Sequence, residues 1–317
     1  MKIGYFLSSE EWGPDDLVAQ AIRATEAGFE GLWISDHYHP WNDEQGHSSF
    51  VWAVIGALAA AVPGVHVTTA VTCPTMRIHP AVIAQAAATA AVLLNGEFAL
   101  GVGSGEALNE HIFGDAWPNA DVRLEMLEES IEVIRELWQG GVHSHRGRHY
   151  RVEHARVYDL PAEPVPILIS GFGPKAIELA GRIGDGFCAV SPDADAVRSF
   201  RSQGGEGKLV QGGTKVCWGD DEQAALEHVV RLWPNEALPG ELPQILPTPA
   251  HFEQAAQLVT PEMLAEEVVC GPDVDRHVAA LKRYADAGFD ELYVNQIGPD
   301  QDAFFEAYSR HVLPALR

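Results

Sequence analysis

The sequence predicts an α/β protein that forms one (β/α)8 TIM barrel with an irregular insertion late in the chain. Strand-like and helix-like segments alternate about eight times along 317 residues, and no linker interrupts that order. Hydrophobic residues make up 46% of the chain, which suffices for one large core. Because periodicity does not show whether a sheet closes, an open doubly wound sheet remains the alternative.

The first half of the chain is predicted to contain four strands with three helices between them. The apolar pattern indicates strands at Lys2–Leu7, Gly31–Ile34, Val65–Val71 and Glu97–Val102. Helical spacing indicates helices at Asp15–Ala27, Phe50–Ala61 and Pro80–Leu94. Gly28 suits the position just after a helix, and Pro80 suits a first helical turn.

The second half repeats this alternation but contains one segment that departs from it. Strands are predicted at Pro166–Ser170, Gly186–Val190, Lys208–Val216 and Glu291–Asn295. Helices are predicted at Val122–Trp138, Lys175–Ile183, Thr260–Cys270, Asp273–Ala287 and Asp302–Leu316, and a short hairpin at Val142–Val152. The segment 191–249 is rich in Gly, Pro and acidic residues and is predicted to be the insertion, with Pro234–Pro249 irregular. All 317 residues are expected to form a single domain.

The composition argues against several classes of partner. The formal net charge of −24 repels the phosphates of nucleic acids and of acidic lipids, and there is no run of 18 apolar residues. The amino terminus lacks the apolar core of a signal peptide, and the four cysteines show no CxxC spacing. We therefore expect a cytoplasmic protein with reduced thiols. His143, His145 and His149 lie near Arg146 and Arg148, which would repel a cation, so a solvated hairpin without a metal is favoured.

The segment Ile34–Trp41 places a carboxylate beside an imidazole directly after an apolar run. Leu32–Ile34 is a predicted strand, and Pro40 ends any regular structure. Asp36 and His37 are therefore expected at the carboxyl end of a strand, where parallel α/β folds hold their catalytic groups. A simpler interpretation stays open, in which Asp36 begins a helix and His37 is an ordinary polar residue.

In a barrel, the loops that follow the strands converge on one face. The polar or glycine-rich loops of this kind contain Glu10, Asp36–Trp41, Thr69–Thr75, Gly103–Asn109 and Gly171–Pro174. A histidine, carboxylates and glycine-rich loops at one mouth indicate an acid/base site beside an anion pocket, since glycine lets backbone N–H groups approach phosphate. Gly101–Glu106 is similar to a dinucleotide-binding loop, but Glu106 replaces the third glycine and weakens that interpretation.

Several short motifs together resemble one family. They are Lys2–Tyr5, Ser8–Glu10, Ser35–His37, Pro40–Trp41, Pro80–Gln85, Gly101–Gly103, Gly105–Glu110, Ala180–Arg182 and Gly184–Phe187. Over nearly the whole chain the set resembles the F420-dependent glucose-6-phosphate dehydrogenase group of the luciferase-like superfamily of flavin and deazaflavin enzymes. The resemblance implies a (β/α)8 barrel with a late insertion, coenzyme F420 as cofactor, and hydride exchange with a hydroxyl-bearing carbon.

The resemblance also implies roles for individual residues. His37 corresponds to a general base that takes the hydroxyl proton, and Trp41 to an indole that steadies the developing alkoxide. Glu106 corresponds to an acid near N1 of the deazaflavin, and Glu10 to a carboxylate that orients or polarises His37. The implied cofactor contacts are Asp36, the non-proline cis peptide between Ala70 and Val71, Gly105, Asn109, and the loop Gly171, Phe172 and Gly173.

The implied substrate pocket departs from family members that bind a sugar phosphate. Two lysines and an arginine of those members correspond here to Asp193, Gln254 and Glu266, or to Glu267 if the alignment shifts by one residue. Each lost hydrogen bond to a charged group costs roughly 1.5–3 kcal/mol. An unphosphorylated sugar or a neutral alcohol is therefore expected rather than glucose 6-phosphate, and a cationic substrate is a further option. Lys208 and Lys215 remain candidates for a cation at the mouth.

Two other functions stay open at this point. An FMN-dependent monooxygenase of the same superfamily would share the fold. A non-enzymatic cofactor carrier or small-molecule binding protein would share the pocket. The expected partners are a small-molecule alcohol or sugar and a second copy of the chain in a homodimer, with no nucleic acid and no membrane.

Overall fold

A computed structural model describes residues 1–317 and shows a closed barrel of eight parallel strands surrounded by helices. The barrel strands are β1 (Lys2–Leu7), β2 (Gly31–Ile34), β3 (His66–Thr69), β4 (Phe98–Val102), β5 (Ile167–Ser170), β6 (Gly186–Ala189), β7 (Leu209–Cys217) and β8 (Glu291–Gln296). Strands β1 to β6 are neighbours in chain order. The β6–β7, β7–β8 and β8–β1 pairings then close the sheet. The predicted fold class and all eight predicted strands are confirmed.

The helices fall into a ring around the barrel and a second group in the loops. The ring contains Pro14–Ala27, Val51–Ala61, Pro80–Leu93, Ala120–Leu137, Pro174–Ile183, Ala194–Phe200, Val274–Ala287 and Gln301–Ala307. The others are Ala107–Glu110, Glu222–Leu232, Leu242–Ile245, Pro249–Ala256, Pro261–Glu267 and Leu313–Leu316, with 3-10 turns at His111–Phe113 and Pro234–Ala237 and π turns at Arg201–Gly205 and Tyr308–Val312. None of these helices has both the length and the apolar composition needed to cross a bilayer.

Two parts of the late segment are more regular than the sequence analysis predicted. Helices form at Ala194–Phe200 and Glu222–Leu232, inside the segment expected to be mostly irregular. Asp193 and Asp221 cap these helices by accepting hydrogen bonds from backbone N–H groups of the first turn. An acidic capping residue accepts hydrogen bonds from the free N–H groups of the first turn and lies outside the helical pattern. In the sequence such residues therefore resemble the residues of a loop.

The predicted helix Thr260–Cys270 is wrong at its carboxyl end. The helix stops at Glu267, and the strand Val269–Cys270 pairs with the end of β7. Consecutive valines at 268 and 269 favour extended backbone, so a free strand edge takes precedence over helical periodicity. The predicted closing helix Asp302–Leu316 is confirmed, and it passes through one π-helical turn at Tyr308–Val312.

The hairpin, formed by strands His143–Arg146 and Arg151–Ala155, is exposed on one face, as predicted, and packs against the protein through the other. His145 lies 3.3 Å from a carboxylate oxygen of Glu129 and 3.3 Å from one of Glu136. Tyr150 donates a hydrogen bond of 2.9 Å to the carbonyl oxygen of Thr75, in the loop after β3. Both carboxylates come from helix Ala120–Leu137, and no pattern within the hairpin predicts these contacts.

Side chains fill the barrel interior below the mouth. Phe6, Trp33, Ala99, Leu168, Cys188 and Tyr293 form one buried cluster inside the barrel. The rings of Trp33 and Tyr293 stack with centroids 5.0 Å apart. At Gly213 a side chain would collide with the ring of Trp33, so glycine makes room for the indole. Because the interior is packed, an open site must lie above this layer, at the carboxyl ends of the strands.

Candidate active site

His37 lies in the loop after β2 with its side chain 9% exposed, between two carboxylates. Its Nδ1 is 3.5 Å from Oε1 of Glu10, and its Nε2 is 3.7 Å from Oε2 of Glu106. The ring of Trp41 lies 5.0 Å from the imidazole, centroid to centroid. The four residues predicted to carry the chemistry therefore meet at one point, although they come from loops after three different strands.

Glu10 is held rigidly in the loop after β1. Its side chain is buried, and its Oε2 accepts hydrogen bonds from the hydroxyls of Ser8 at 2.8 Å and Ser35 at 2.7 Å. These two donors leave Oε1 facing His37. A carboxylate fixed in this way favours a proton on Nδ1 of the imidazole and leaves Nε2 able to accept one.

Trp41 is positioned by the late segment of the chain. Its ring packs edge-on against Phe252 at 5.1 Å, and its backbone N–H donates to Gln45 at 2.8 Å. Gln45 in turn donates to the carbonyl oxygen of Leu232, at the end of helix Glu222–Leu232, at 2.8 Å. Neither Gln45 nor Phe252 was a sequence candidate, because a polar turn residue and a helical aromatic carry no pattern of their own.

Glu106 and Asn109 join two loops at the mouth. Asn109 donates to Glu106 at 3.1 Å and accepts from the backbone N–H groups of Tyr38 at 2.8 Å and His39 at 3.1 Å. The Glu106 side chain is 30% exposed, whereas Asn109 is buried. Glu106 therefore presents a carboxylate to the mouth, while the Asn109 side chain fixes the loop that carries His37.

Asp36 faces away from His37 into a buried ionic cluster. Its side chain accepts from Thr72 at 2.8 Å and pairs with Arg77 at 2.7 Å. The backbone N–H of Arg77 donates to Glu110 at 2.7 Å. Burial opposes the charge on Arg77, but Asp36 and Glu110 outweigh it and raise the pKa of the guanidinium. For Glu110, burial is the dominant effect and raises the pKa of its carboxyl group.

Arg77 and Glu110 were not sequence candidates. The only sign of them was a single arginine in the loop between Pro74 and Pro80, and a second acidic residue four positions after Glu106. Their pairing spans 33 residues, so it becomes visible only when the loops after β3 and β4 are folded together.

The peptide bond between Ala70 and Val71 is cis, as the resemblance implied. It lies directly after β3 and beside the glycines of β4 and its loop. A Cβ at Gly103 would approach Val71 to 2.8 Å, and a Cβ at Gly105 would approach the sulfur of Cys73 to 2.6 Å. Gly105 also has a φ of +83°, which other residues rarely adopt. These glycines let two loops pack closely at one side of the mouth.

The loop Gly171–Gly173 follows β5 and leads into the ten-residue helix Pro174–Ile183. Gly171 packs against Ala176, where a Cβ would come within 2.7 Å of the alanine side chain. At Gly173 a Cβ would meet nothing within 4 Å, and Phe172 is exposed. Open space at a helix amino end suits an anionic group such as a phosphate, so the residues present fit a phosphate-bearing cofactor.

Lys208 and Lys215, the two lysines predicted near the seventh strand, lie at opposite ends of the barrel. Lys208 precedes the strand and donates to the carbonyl oxygen of Gly181 at 2.8 Å, so it does not reach the mouth. Lys215 lies near the carboxyl end and points inward, with Nζ 2.9 Å from Glu236 and 4.4 Å from the ring centre of Trp233.

The three positions that depart from the sugar-phosphate pattern carry exposed side chains. Gln254 lies on helix Pro249–Ala256 and Glu266 on helix Pro261–Glu267, while Asp193 caps helix Ala194–Phe200. None of the three supplies a positive charge.

The chain is similar to known proteins over most or all of its length. The family model described as luciferase-like monooxygenase matches residues 1–291. The F420-dependent glucose-6-phosphate dehydrogenase of Amycolatopsis mediterranei is 38% identical, with 100% of this chain and 99% of that protein covered. The enzyme of the same name from Microbacterium testaceum is 36% identical, with 100% and 98% covered. A solved F420-dependent secondary alcohol dehydrogenase, in complex with an F420-acetone adduct, has a TM-score of 0.92 at 30% identity, with 100% and 99% covered.

Proposed function

Because the chain belongs to the luciferase-like monooxygenase family, we propose that it is an F420-dependent dehydrogenase that acts on a hydroxyl-bearing carbon. The observation that carries this proposal is His37, held between the carboxylates of Glu10 and Glu106 at the barrel mouth. A base flanked in this way suits removal of a hydroxyl proton. The names of the relatives, which are F420-dependent dehydrogenases, support the choice of cofactor.

In this proposal, the bound deazaflavin supplies the hydride acceptor. Nε2 of His37 takes the hydroxyl proton as the hydride leaves the same carbon, and Glu10 holds the other proton on Nδ1. Trp41 stabilises the negative charge that develops on the substrate oxygen. Glu106 faces Nε2 of His37, on the opposite side of the imidazole from Glu10, and would be the acid near the deazaflavin ring.

The cofactor is proposed to lie over the loops after β2 to β5. Asp36, Ala70, Val71, Gly105 and Asn109 would hold its ring end, and Gly171, Phe172 and Gly173 its phosphate. The buried side chains of Asp36 and Asn109 act mainly by fixing the backbone that faces the cofactor.

The proposed substrate is an alcohol or an unphosphorylated sugar. Glucose 6-phosphate is the main alternative substrate, because the relatives are named for it. Asp193, Gln254 and Glu266 offer no cation to its phosphate, and the net charge of −24 adds repulsion. We therefore expect a kcat/KM for glucose 6-phosphate at least about a thousandfold below the ~10⁵ M⁻¹s⁻¹ of an ordinary enzyme. Substitution of Asp193, Gln254 and Glu266 by Lys, Lys and Arg should restore part of the kcat/KM for glucose 6-phosphate. If the unmodified protein oxidises glucose 6-phosphate with ordinary efficiency, the substrate assignment is wrong.

The cofactor assignment is tested by titrating the protein with F420 and with FMN and following fluorescence. Binding of F420, followed by its reduction in a screen of alcohols and sugars, is the expected result. Binding of FMN without F420 would instead favour a flavin monooxygenase. Binding of F420 with no reduction by any substrate would favour a non-enzymatic carrier.

We also infer a cytoplasmic homodimer built from single-domain subunits. One core cluster of 59 buried residues includes both Ile3 and Leu313, which supports a single domain. The four free thiols support a reducing compartment.

Helices Val51–Ala61 and Pro80–Leu93 carry no charged residue and leave Val82 and Leu93 exposed. Two copies of so acidic a chain can meet there without opposing like charges.

A further inference from the structure

Lys215 is the positively charged side chain that β7 directs into the barrel mouth. Alternate residues of a strand point to the same face. Gln211 bonds to the interior Trp33, and a side chain at Gly213 would strike that ring, so Lys215 continues the inward-facing row. Its side chain is 13% exposed, with Nζ 5.8 Å from the ring centre of the interior Phe6.

The ammonium group of Lys215 is held by the segment that follows β7. Glu236, in the turn Pro234–Ala237, lies 2.9 Å from Nζ, and Trp233 lies beneath it at 4.4 Å. Trp233 is fixed by a hydrogen bond of 2.7 Å to Glu11, in the loop after β1. The cation is therefore held by the segment that contains Trp233 and Glu236, and the loop after β1 anchors that segment through Glu11.

Hydrogen-bonding capacity remains open around this pair. An ammonium group has three donors, and Glu236 engages one of them. Oε2 of Glu236 accepts no hydrogen bond from the protein, and the side chain is 26% exposed. Asn295, opposite Lys215 in the sheet register, is fully buried, and its Oδ1 has no partner.

We propose that Lys215 and Glu236 form a specificity site for neighbouring hydroxyl groups of a polyhydroxylated substrate, away from the carbon that is oxidised. A positive donor beside a negative acceptor matches two vicinal hydroxyls, one of which accepts while the other donates. The pair has no net charge, so it offers little to a phosphate or carboxylate. Trp41, which packs against the same small apolar cluster as Trp233, supplies apolar surface for the carbon face of such a molecule. This inference rests on the proposed function and narrows its substrate class to sugars and polyols.

The first arm of the test measures binding without turnover. Saturation-transfer NMR with glucose and sorbitol compares the wild-type protein with Lys215→Met and Glu236→Gln. We expect each variant to weaken binding at least about tenfold, the effect of losing one strong hydrogen bond. The matched control Lys208→Met changes the lysine just before the same strand, at the other end of the barrel, and should stay within about twofold.

The second arm compares kinetics with sugars and with propan-2-ol. Lys215→Met should raise KM for the polyhydroxylated substrate at least about tenfold and leave kcat/KM for propan-2-ol within about twofold. An equal loss for both substrates would show a merely structural role and overturn the inference. So would the absence of sugar binding by the wild-type protein, or tighter Lys215-dependent binding of gluconate than of glucose. If sugars bind through Lys215 but F420 is never reduced, the proposed function fails and the binding site stands.

Discussion

At the scale of single residues, the buried Nδ1 of His37 has no hydrogen-bond partner within the criteria of a good bond. Nδ1 lies 3.5 Å from Glu10, and Nε2 lies 3.7 Å from Glu106, both slightly beyond ordinary hydrogen-bond length. Such loose contacts are typical of catalytic groups before substrate binds and tighten only in the reactive complex. The imidazole is therefore held in position by packing and charge and stays free to exchange a proton.

Replacement of His37 by alanine should abolish turnover and leave F420 affinity within a few-fold of wild type. The imidazole is assigned to proton transfer, whereas loop backbone is assigned to cofactor binding. Steady-state kinetics and fluorescence titration measure the two effects separately. His39→Ala is the control in the same loop, because the His39 ring bonds to the carbonyl oxygen of Leu108. If His37→Ala keeps a tenth of wild-type turnover, the assignment of the general base is wrong.

Replacement of Glu106 by glutamine should lower the rate of hydride transfer and alter its pH dependence, with little change in substrate KM. The amide keeps the size of the side chain but can neither ionise nor exchange a proton, so the substitution removes the acid/base function of this position. Stopped-flow measurement of F420 reduction between pH 5 and 9 tests this. A higher KM with unchanged kcat would instead assign Glu106 to binding of the ground state.

At the scale of structural elements, three loops are locked together beneath the mouth by ionic groups. Arg77, from the loop after β3, pairs with Asp36 from the loop after β2 and contacts Glu110 after β4. All three side chains are at most 6% exposed. Since His37 follows Asp36 directly and Glu106 lies one helical turn before Glu110, this cluster fixes the spacing of the acid/base groups.

Replacement of Arg77 by methionine should lower the free energy of unfolding by about 3–5 kcal/mol. The substitution leaves two buried carboxylates without their cation, which costs more than losing a surface pair. Urea denaturation followed by circular dichroism measures the loss. Arg146→Met, which breaks an exposed pair with Glu153, should cost less than about 1 kcal/mol.

The double variant Arg77→Met with Asp36→Asn should recover part of that stability, because it removes one of the orphaned charges. Equal stability of the single and double variants would mean that the guanidinium acts through packing alone.

At the scale of the whole molecule, Glu11 connects the beginning, the late segment and the end of the chain. It accepts hydrogen bonds of 2.7 Å from the indole of Trp233 and from the backbone N–H of Gly298. Burial raises the pKa of Glu11 from 4.5 to about 7, because these two donors only partly offset the loss of solvation. The ionisation of this buried carboxyl therefore affects folding near neutral pH.

The raised pKa makes the contribution of Glu11 to stability fall as pH rises. Below pH 4.5 the group is protonated in the folded and the unfolded chain, and its contribution is complete. Above that value the unfolded chain ionises first, so stability is lost until the folded pKa of about 7 is passed. Between pH 5 and 8 the loss from this group should be about 2–3 kcal/mol.

Glu11→Gln should remove that dependence, so its stability relative to wild type should improve by about 2–3 kcal/mol from pH 5 to pH 8. Urea denaturation at both pH values gives the comparison. Glu26→Gln, at an exposed helical position, serves as the control and should shift neither value. A difference between Glu11→Gln and wild type that stays constant with pH would show that Glu11 keeps an ordinary pKa when folded.

The sequence by itself determined the barrel strands and which loops meet. Short apolar runs such as Leu32–Ile34 indicate strands, because a strand of a parallel sheet is buried on both faces and all of its side chains are then apolar. Parallel order then forces the loops after successive strands to one end, so the order of strands alone brings the loops of His37, Glu10 and Glu106 together. The cis peptide bond between Ala70 and Val71 was predicted only from the resemblance to a family, because local composition does not specify such a bond.

Only the tertiary structure decided how those groups are held. The contacts of Arg77 with Glu110, Trp233 with Glu11 and Trp41 with Phe252 join residues far apart in the chain, and no local pattern encodes them. The register of β7 likewise decided which lysine reaches the mouth. Lys208 lies before the strand at the amino end, whereas Lys215 lies near its carboxyl end on the inward face. The sequence shows that alternate side chains of a strand point to the same face, but it does not show which face is inside the barrel. That is decided only when the strand pairs with its neighbours on both sides.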